Sequence, residues 1–245
     1  SAEHLAMSLQ SAKAGMTLLK KGPLPFAAGK SVAVIGQIAN DTNSMTGNYD
    51  GPLCPHGGAS CFPSLGEAIA IANKGGSTAI VEGVDVEKGV AAAKAADSVV
   101  LVVDNFRDGG GEGHDRYSVA LSADQLVLAN AVIAANKNTV LVTVNGGLIS
   151  LDDLAQSAPA ILNAGMPGVQ GGTAIAETIF GHNNPGGKVR NNAEYMLPSC
   201  GCCRTFLLTP CFSVSVAAGN DVPLQHRQRN RFSQHVNDKR SGKKL

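Results

Sequence analysis

The sequence predicts an α/β protein: a doubly wound, mainly parallel sheet flanked by helices in an α/β sandwich, incomplete at its C-terminal edge. Three observations predict it. Short apolar runs of strand length recur at residues 31–36, 99–103, 139–145 and 160–164, and such runs mark strands buried on both faces. Several of the stretches between them are Ala-rich and place apolar residues three and four apart, the spacing of amphipathic helices. Strand then helix, repeated, is the pattern of right-handed crossovers in a parallel sheet.

Residues 2–20 carry Ala2, Leu5, Ala6, Leu9, Ala12, Met16, Leu18 and Leu19 at helical spacing, so a helix is expected there, stopped by Gly22-Pro23. The first strand, Ser31–Gly36, ends in glycine and opens a loop over 37–64 rich in Gly, Asn, Pro and Cys. A loop of that length inside a compact domain is either functional or disordered. Ser64 caps a short helix bearing Leu65, Ala68, Ile69 and Ile71, Ser77–Glu82 is the second strand, and residues 85–96 form an Ala-rich helix. The third strand, 99–103, runs into a glycine-rich loop over 104–116. Ser122 and Gln125 have the spacing of a capping box at the head of a helix reaching Ala135. The fourth strand covers 139–145 and the fifth 160–164, with short helices expected at 150–155 and 172–180. The hydrophobic periodicity of the body is lost over residues 189–245.

Composition narrows the function classes. With 44% hydrophobic and 16% charged residues in 245, the chain has the apolar matter for a globular core. No run of about 18 apolar residues occurs, so no membrane span is expected. The net charge of +1 splits unevenly: residues 189–245 hold nine Lys/Arg against three acids, leaving 11 basic and 16 acidic residues in the body. The basic tail lacks interleaved aromatics, which argues against nucleic acid as a partner. Cys200, Cys202, Cys203 and Cys211 with His226 and His235 offer one Cys-x-x-Cys pair but no second pair at ligand spacing, so no metal is expected. Gly36 alone does not make a dinucleotide fingerprint, and no P-loop occurs. A nucleotide-binding α/β domain is therefore only an alternative, and no cofactor is expected. The organisation read from these features is a linker helix and lead-in over 1–30, the α/β domain over 31–188, and a basic, Cys-containing tail over 189–245 that is disordered or aberrant. The chain opens at Ser1 rather than Met, which reads as an excised or processed piece.

Ligands of parallel sheets bind beyond the carboxyl ends of the strands. The loops over 36–64, 104–116, 145–147 and 165–168 all fall at that edge. In the second of these, Gly109, Gly110, Gly111 and Gly113 free the backbone around Glu112, a carboxyl able to reach a substrate oxygen. General-acid work needs such a carboxyl with its pKa raised by burial or a neighbouring carboxylate. Asp115 and Arg116 read as an ion pair fixing the loop, and His114 as an exposed loop histidine. Asn48, Tyr49, Asp50, Arg107 and Asp108 are candidates for shaping the pocket, from their place at the strand ends.

The string Gly111-Glu112-Gly113-His114-Asp115-Arg116 resembles the Gly-Glu-Gly-x-Asp-Arg loop of glycoside hydrolase family 3. Leu18-Leu19-Lys20 with Leu24-Pro25 resembles that family's lead into its C-terminal domain, and Gly47-Asn48-Tyr49-Asp50-Gly51 its Gly-Asn-Tyr-x-Gly loop. Ala164-Gly165-Met166-Pro167-Gly168 and Phe180-Gly181, with Asn184-Pro185 and Gly187-Lys188, are similar to its closing signature. The resemblance spans residues 1–188, and the sequence departs from the family at Lys21 and again after Lys188. It implies the C-terminal α/β-sandwich domain of an exo-acting retaining β-glucosidase or β-xylosidase acting on plant-type poly- or oligosaccharides. It further implies that Glu112 is the acid/base, that a preceding (β/α)₈ barrel supplies the nucleophilic Asp, and that this chain alone is inactive. A non-catalytic carbohydrate-binding or interaction module is the other alternative. Cys54 and Cys61 bracket a short loop at the same edge. They form either a disulfide, fitting a secreted parent protein and contributing about 2.5 kcal/mol of stability, or two buried thiols.

Overall fold

The computed structural model describes residues 1–47, 51–54, 61–106, 116–151 and 154–187. The elements in chain order are α1 (Ala2–Gly15), β1 (Thr17–Lys20), β2 (Ser31–Gly36), α2 (Leu65–Ala72), β3 (Ser77–Glu82) and α3 (Val86–Ala95). They continue with β4 (Ser98–Asp104), α4 (Ala123–Ala135), β5 (Thr139–Val144), β6 (Ala160–Gly165) and α5 (Gly171–Ile179). The strands form one sheet in the order β1-β6-β5-β4-β2-β3. Strands β2 to β6 are parallel, and β1 pairs antiparallel with β6.

The winding starts at β2, moves outward through α2 to β3, then returns through α3 to β4 on the other flank of β2. The sheet is therefore doubly wound, with its switch point between β2 and β4, where loops leaving the carboxyl ends diverge and open a crevice. Period-two alternation along the strands builds a core on each face. Val32, Val34, Val100, Val102, Val140, Val142 and Leu162 pack against α1, α2 and α5. Ala33, Ile35, Val99, Leu101, Leu141 and Ile161 pack against α3 and α4. All seven residues of β4 are buried.

One expectation is corrected at the edge. The helix expected over 2–20 stops at Gly15, where Met16 turns extended, and residues 17–20 form β1. Helical spacing would put Leu18 and Leu19 on neighbouring positions of one helix surface, but as a strand they part: Leu18 joins one core and Leu19 the other. Strand β1 lies beside β6, with Thr17 opposite Asn163 and Leu18 opposite Leu162, and the segment after residue 187, where the incomplete edge is expected, lies outside the described residues. The short helix expected at 150–155 is also absent among the described residues. Leu154 and Ala155 donate instead to the Leu151 carbonyl and Ala158 to that of Leu154, a succession of turns. The helix expected at 172–180 is α5. Ser64 heads α2 with both halves of a capping box, accepting from Glu67 N at 3.2 Å while Glu67 Oε2 accepts from Ser64 N at 2.9 Å. The tail over 189–245 lies outside the described residues.

At the amino edge, Asp97 Oδ2 accepts from Ser31 N at 2.9 Å and Ser31 Oγ at 2.7 Å, and Asp97 N donates back to Ser31 Oγ. The hydroxyl bond first, then the amide, hold the Asp97 carboxyl below its ordinary value of 3.8. A depressed folded pKa stabilises the protein above the unfolded value, and that stability is lost as pH falls through the folded one. The stability difference between the natural chain and Ser31→Ala is thus expected to be full above about pH 4 and to narrow below it, read from urea midpoints at stepped pH.

Candidate active site

The carboxyl ends of the strands carry a rim of polar side chains that ties four loops together. At the end of β4, Asp104 and Asn105 are both buried. Gln125, buried near the head of α4, spans the backbone of Asp104: its Oε1 accepts from Asp104 N at 2.9 Å and its Nε2 donates to Asp104 O at 3.0 Å. This corrects the capping box expected at Ser122. Ser122 is the N-cap residue but makes no side-chain cap bond, and Gln125 Nε2 donates to its hydroxyl at 3.2 Å. A carboxamide buried beside a strand end is satisfied best by the backbone donor and acceptor found there.

Asp104 Oδ1 accepts from Phe106 N at 3.0 Å, turning the chain out of the sheet. Asn105 Oδ1 accepts from Gly146 N at 3.2 Å, joining the loop after β4 to the loop after β5. The polar chain continues sideways. Asn145 donates to Gly147 O at 2.6 Å, and Asn163 Nδ2 donates to Asn145 Oδ1 at 3.0 Å and to Thr143 Oγ1 at 2.9 Å. On the return leg, Arg116 Nη1 donates to Leu148 O at 2.6 Å and Nη2 to Ala120 O at 3.3 Å. A parallel bridge between Ala120 and Ser150 extends that attachment. The segment between Phe106 and Arg116 is thus anchored at both ends to one loop, that of β5.

The loops after β2 and β6 meet in the same way. Met45 is buried and its carbonyl accepts from Gly168 N at 2.8 Å. A Cβ on Gly47, which has φ +86°, would lie 3.0 Å from Met166 Sδ, and one on Gly146 would lie 2.5 Å from Met166 Cε. Cys54 and Cys61 are joined as a disulfide, with Cα atoms 5.7 Å apart, and Cys54 packs with Phe62, Leu53 and Val169. The bond closes the far end of the β2 loop on itself, and the apolar packing of Val169 on this cluster sets that end against the turn after β6.

Of the two best-formed clefts, the larger, about 320 Å³, is not at this rim. It lies at the amino ends of the strands, among Pro23, Phe26, Lys30, Asp97 and Asn138. The smaller, about 230 Å³, lies beside the rim between α1 and β6, reaching Met166 and Pro167. The rim, not the larger cleft, carries the converging amide network at the carboxyl edge, where parallel sheets bind ligands. No group of three or more His, Cys, Asp or Glu able to hold a metal occurs among the described residues. No helix among them is long and apolar enough to cross a membrane.

The model of the glycosyl hydrolase family 3 C-terminal domain matches residues 16–194. The chain belongs to glycoside hydrolase family 3. β-D-Xylosidase 3 of Arabidopsis thaliana is 35% identical over 195 residues, covering 77% of this chain and 25% of that protein. A β-xylosidase of Formosa agariphila is 31% identical over 204 residues, covering 76% and 28%. Among solved structures, the family 3 β-glucosidase of Bifidobacterium adolescentis superposes with a TM-score of 0.64 at 31% identity, covering 75% of this chain and 28% of that one. The family 3 domain described here spans about a quarter of the length of such relatives.

Within this family 3 domain, the sequence-predicted residues Asn48, Tyr49, Asp50, Arg107, Asp108, Glu112, His114 and Asp115 lie outside the described residues. Arg116, Cys54 and Cys61 lie at the rim as described above. Sequence reasoning missed Asn105, Asn145 and Asn163, and misassigned Gln125. The signal was a polar amide ending or interrupting an apolar strand run, as in Ala160-Ile-Leu-Asn163-Ala.

Two outcomes follow for the rim. Gln125→Ala removes both bonds to the Asp104 backbone and is expected to cost about 1–3 kcal/mol, with faster exchange of the Asp104 amide in hydrogen-exchange measurements. Replacing Cys54 and Cys61 together by Ser is expected to lower stability by about 2.5 kcal/mol, matched by adding reductant to the natural chain in denaturant titrations.

Proposed function

We propose that this chain is the C-terminal half of the active site of an exo-acting retaining β-glycosidase, with Glu112 as acid/base. The observation that carries the reading is the double anchoring of the segment that holds Glu112. Asn105 on its outward leg and Arg116 on its return both bond to the β5 loop at the carboxyl edge, where parallel sheets bind ligands. A long segment fixed at both ends by polar contacts, part-buried at Asn105 and exposed at Arg116, delivers one side chain at low entropic cost.

In this reading a barrel domain of the parent protein contributes a carboxylate that attacks the anomeric carbon, about 5–5.5 Å from the acid/base in a retaining site. Glu112 protonates the departing glycosidic oxygen, then, as carboxylate, takes a proton from the water that hydrolyses the glycosyl-enzyme. Asn48, Tyr49, Asp50, Arg107 and Asp108 shape the sugar pocket, and the Asp115–Arg116 pair steadies the loop. The relatives named β-xylosidase and β-glucosidase favour xylose or glucose as the sugar released from plant-type glycans. The Cys54–Cys61 disulfide favours a parent protein that passes through the secretory pathway.

The test is Glu112→Gln in the full-length protein. Turnover of substrates with poor leaving groups is expected to fall about 10²–10⁴-fold, while glycosides of acidic phenols, which depart without protonation, lose far less. Equal rates for mutant and parent on an alkyl glycoside would remove Glu112 from the mechanism. The isolated chain, without a nucleophile, is the inactive control.

A further inference from the structure

The chain contains a single Asn-x-Ser/Thr triplet, Asn40-Asp41-Thr42, and it falls on the carboxyl-edge loop just after β2. We propose that Asn40 is an N-glycosylation site, occupied when the chain traverses the endoplasmic reticulum. The inference rests on the secretory part of the reading above, which the Cys54–Cys61 disulfide on the same loop carries.

The local geometry suits the modification. Asn40 is exposed, whereas Asn73, Asn105 and Asn145 are buried in hydrogen-bonded networks. It sits in a turn closed by Asp41 N donating to Ile38 O at 3.3 Å. Its Oδ1 accepts from Ser64 Oγ at 3.0 Å, and among the described residues its Nδ2 donates to nothing. The Asp41 carboxylate is turned away, accepting from Asn43 N at 2.8 Å and from the Ser44 hydroxyl. Transfer takes place on the emerging chain, so the fold has only to accommodate the product.

In the transfer, the Asn40 Nδ2–C1 bond forms to the first N-acetylglucosamine of a lipid-pyrophosphate-linked oligosaccharide. The C1–O bond to pyrophosphate breaks, the lipid pyrophosphate leaves with the bonding pair, and Nδ2 loses one proton. The amide keeps its Oδ1, so Ser64 can still donate to it while accepting from Glu67 N as the cap of α2. The sugar therefore costs the α2 cap nothing, and it places a bulky hydrophilic group on a surface loop.

The experiment produces the full chain behind a secretion leader in a eukaryotic host and measures intact mass before and after peptide:N-glycosidase F. One glycan is expected per chain, with deamidation at Asn40 after its removal. Thr42→Ala, which leaves Asn40 and its Ser64 contact in place, and Asn40→Gln should each abolish it. A secreted chain with Cys54 and Cys61 oxidised but Asn40 unmodified overturns the proposal, as does a glycan that persists in Thr42→Ala. Thiol labelling of Cys54 and Cys61 in protein taken from its natural source tests the secretory reading separately. Free thiols there would refute that reading while leaving the acceptor measurement intact.

Discussion

A strand buried on both faces has no water to satisfy its backbone, and the end of β4 is where this constraint is most demanding. Within the sheet, β2 and β5 pair with β4 on either side. At Asp104 the outward turn begins, and the carboxamide of Gln125 takes over part of the work of a neighbouring strand. The constraint is general: a buried donor or acceptor without a partner costs about 1–3 kcal/mol, comparable to a sizeable share of a domain's net stability. The placement of α4 over β4 thus does two jobs, burying Leu128 and Val132 and presenting Gln125 to the strand end.

The amides at the neighbouring strand ends extend the same solution sideways. Asn105, Asn145 and Asn163 each connect one loop or strand end to the next, so the rim is one hydrogen-bonded band rather than four separate turns. Neutral amides suit this position because they both donate and accept without the desolvation penalty of charge. The β2 loop joins the band by different means, through the Met45 carbonyl and the packing of Val169 on the Cys54 and Phe62 cluster.

Much of the sheet was legible in the sequence because fully buried parallel strands have little choice of residue. Val99 to Val103 and residues 139–144 are nearly unbroken β-branched and leucine runs, and glycine ends β2 where a Cβ would come within 2.0 Å of the Val102 carbonyl. The N-terminal strand was not legible. Leu18 and Leu19 continue the helical spacing set by Leu5, Leu9 and Ala12, and only pairing with residues far along the chain makes them a strand. Gln125 was misread for a related reason. Three-residue spacing from Ser122 is a local signal, whereas the partner it meets, Asp104, is brought there by the crossover. The family was legible as a resemblance, because several short motifs recur in order along residues 1–188.

The pairing of β1 with β6 joins the first strand of the chain to the last of the described sheet. During synthesis, β1 leaves the ribosome long before residues 160–165 exist, and until then its backbone groups and the Leu18 and Leu19 side chains have no native partner. The sheet cannot close at this edge until nearly the whole domain has been made, a contact of high sequence separation and correspondingly slow formation. Anything covalently upstream of β1 is therefore held beside β6 only at the last step. The order of synthesis thus places any upstream domain's folding ahead of its docking to this one.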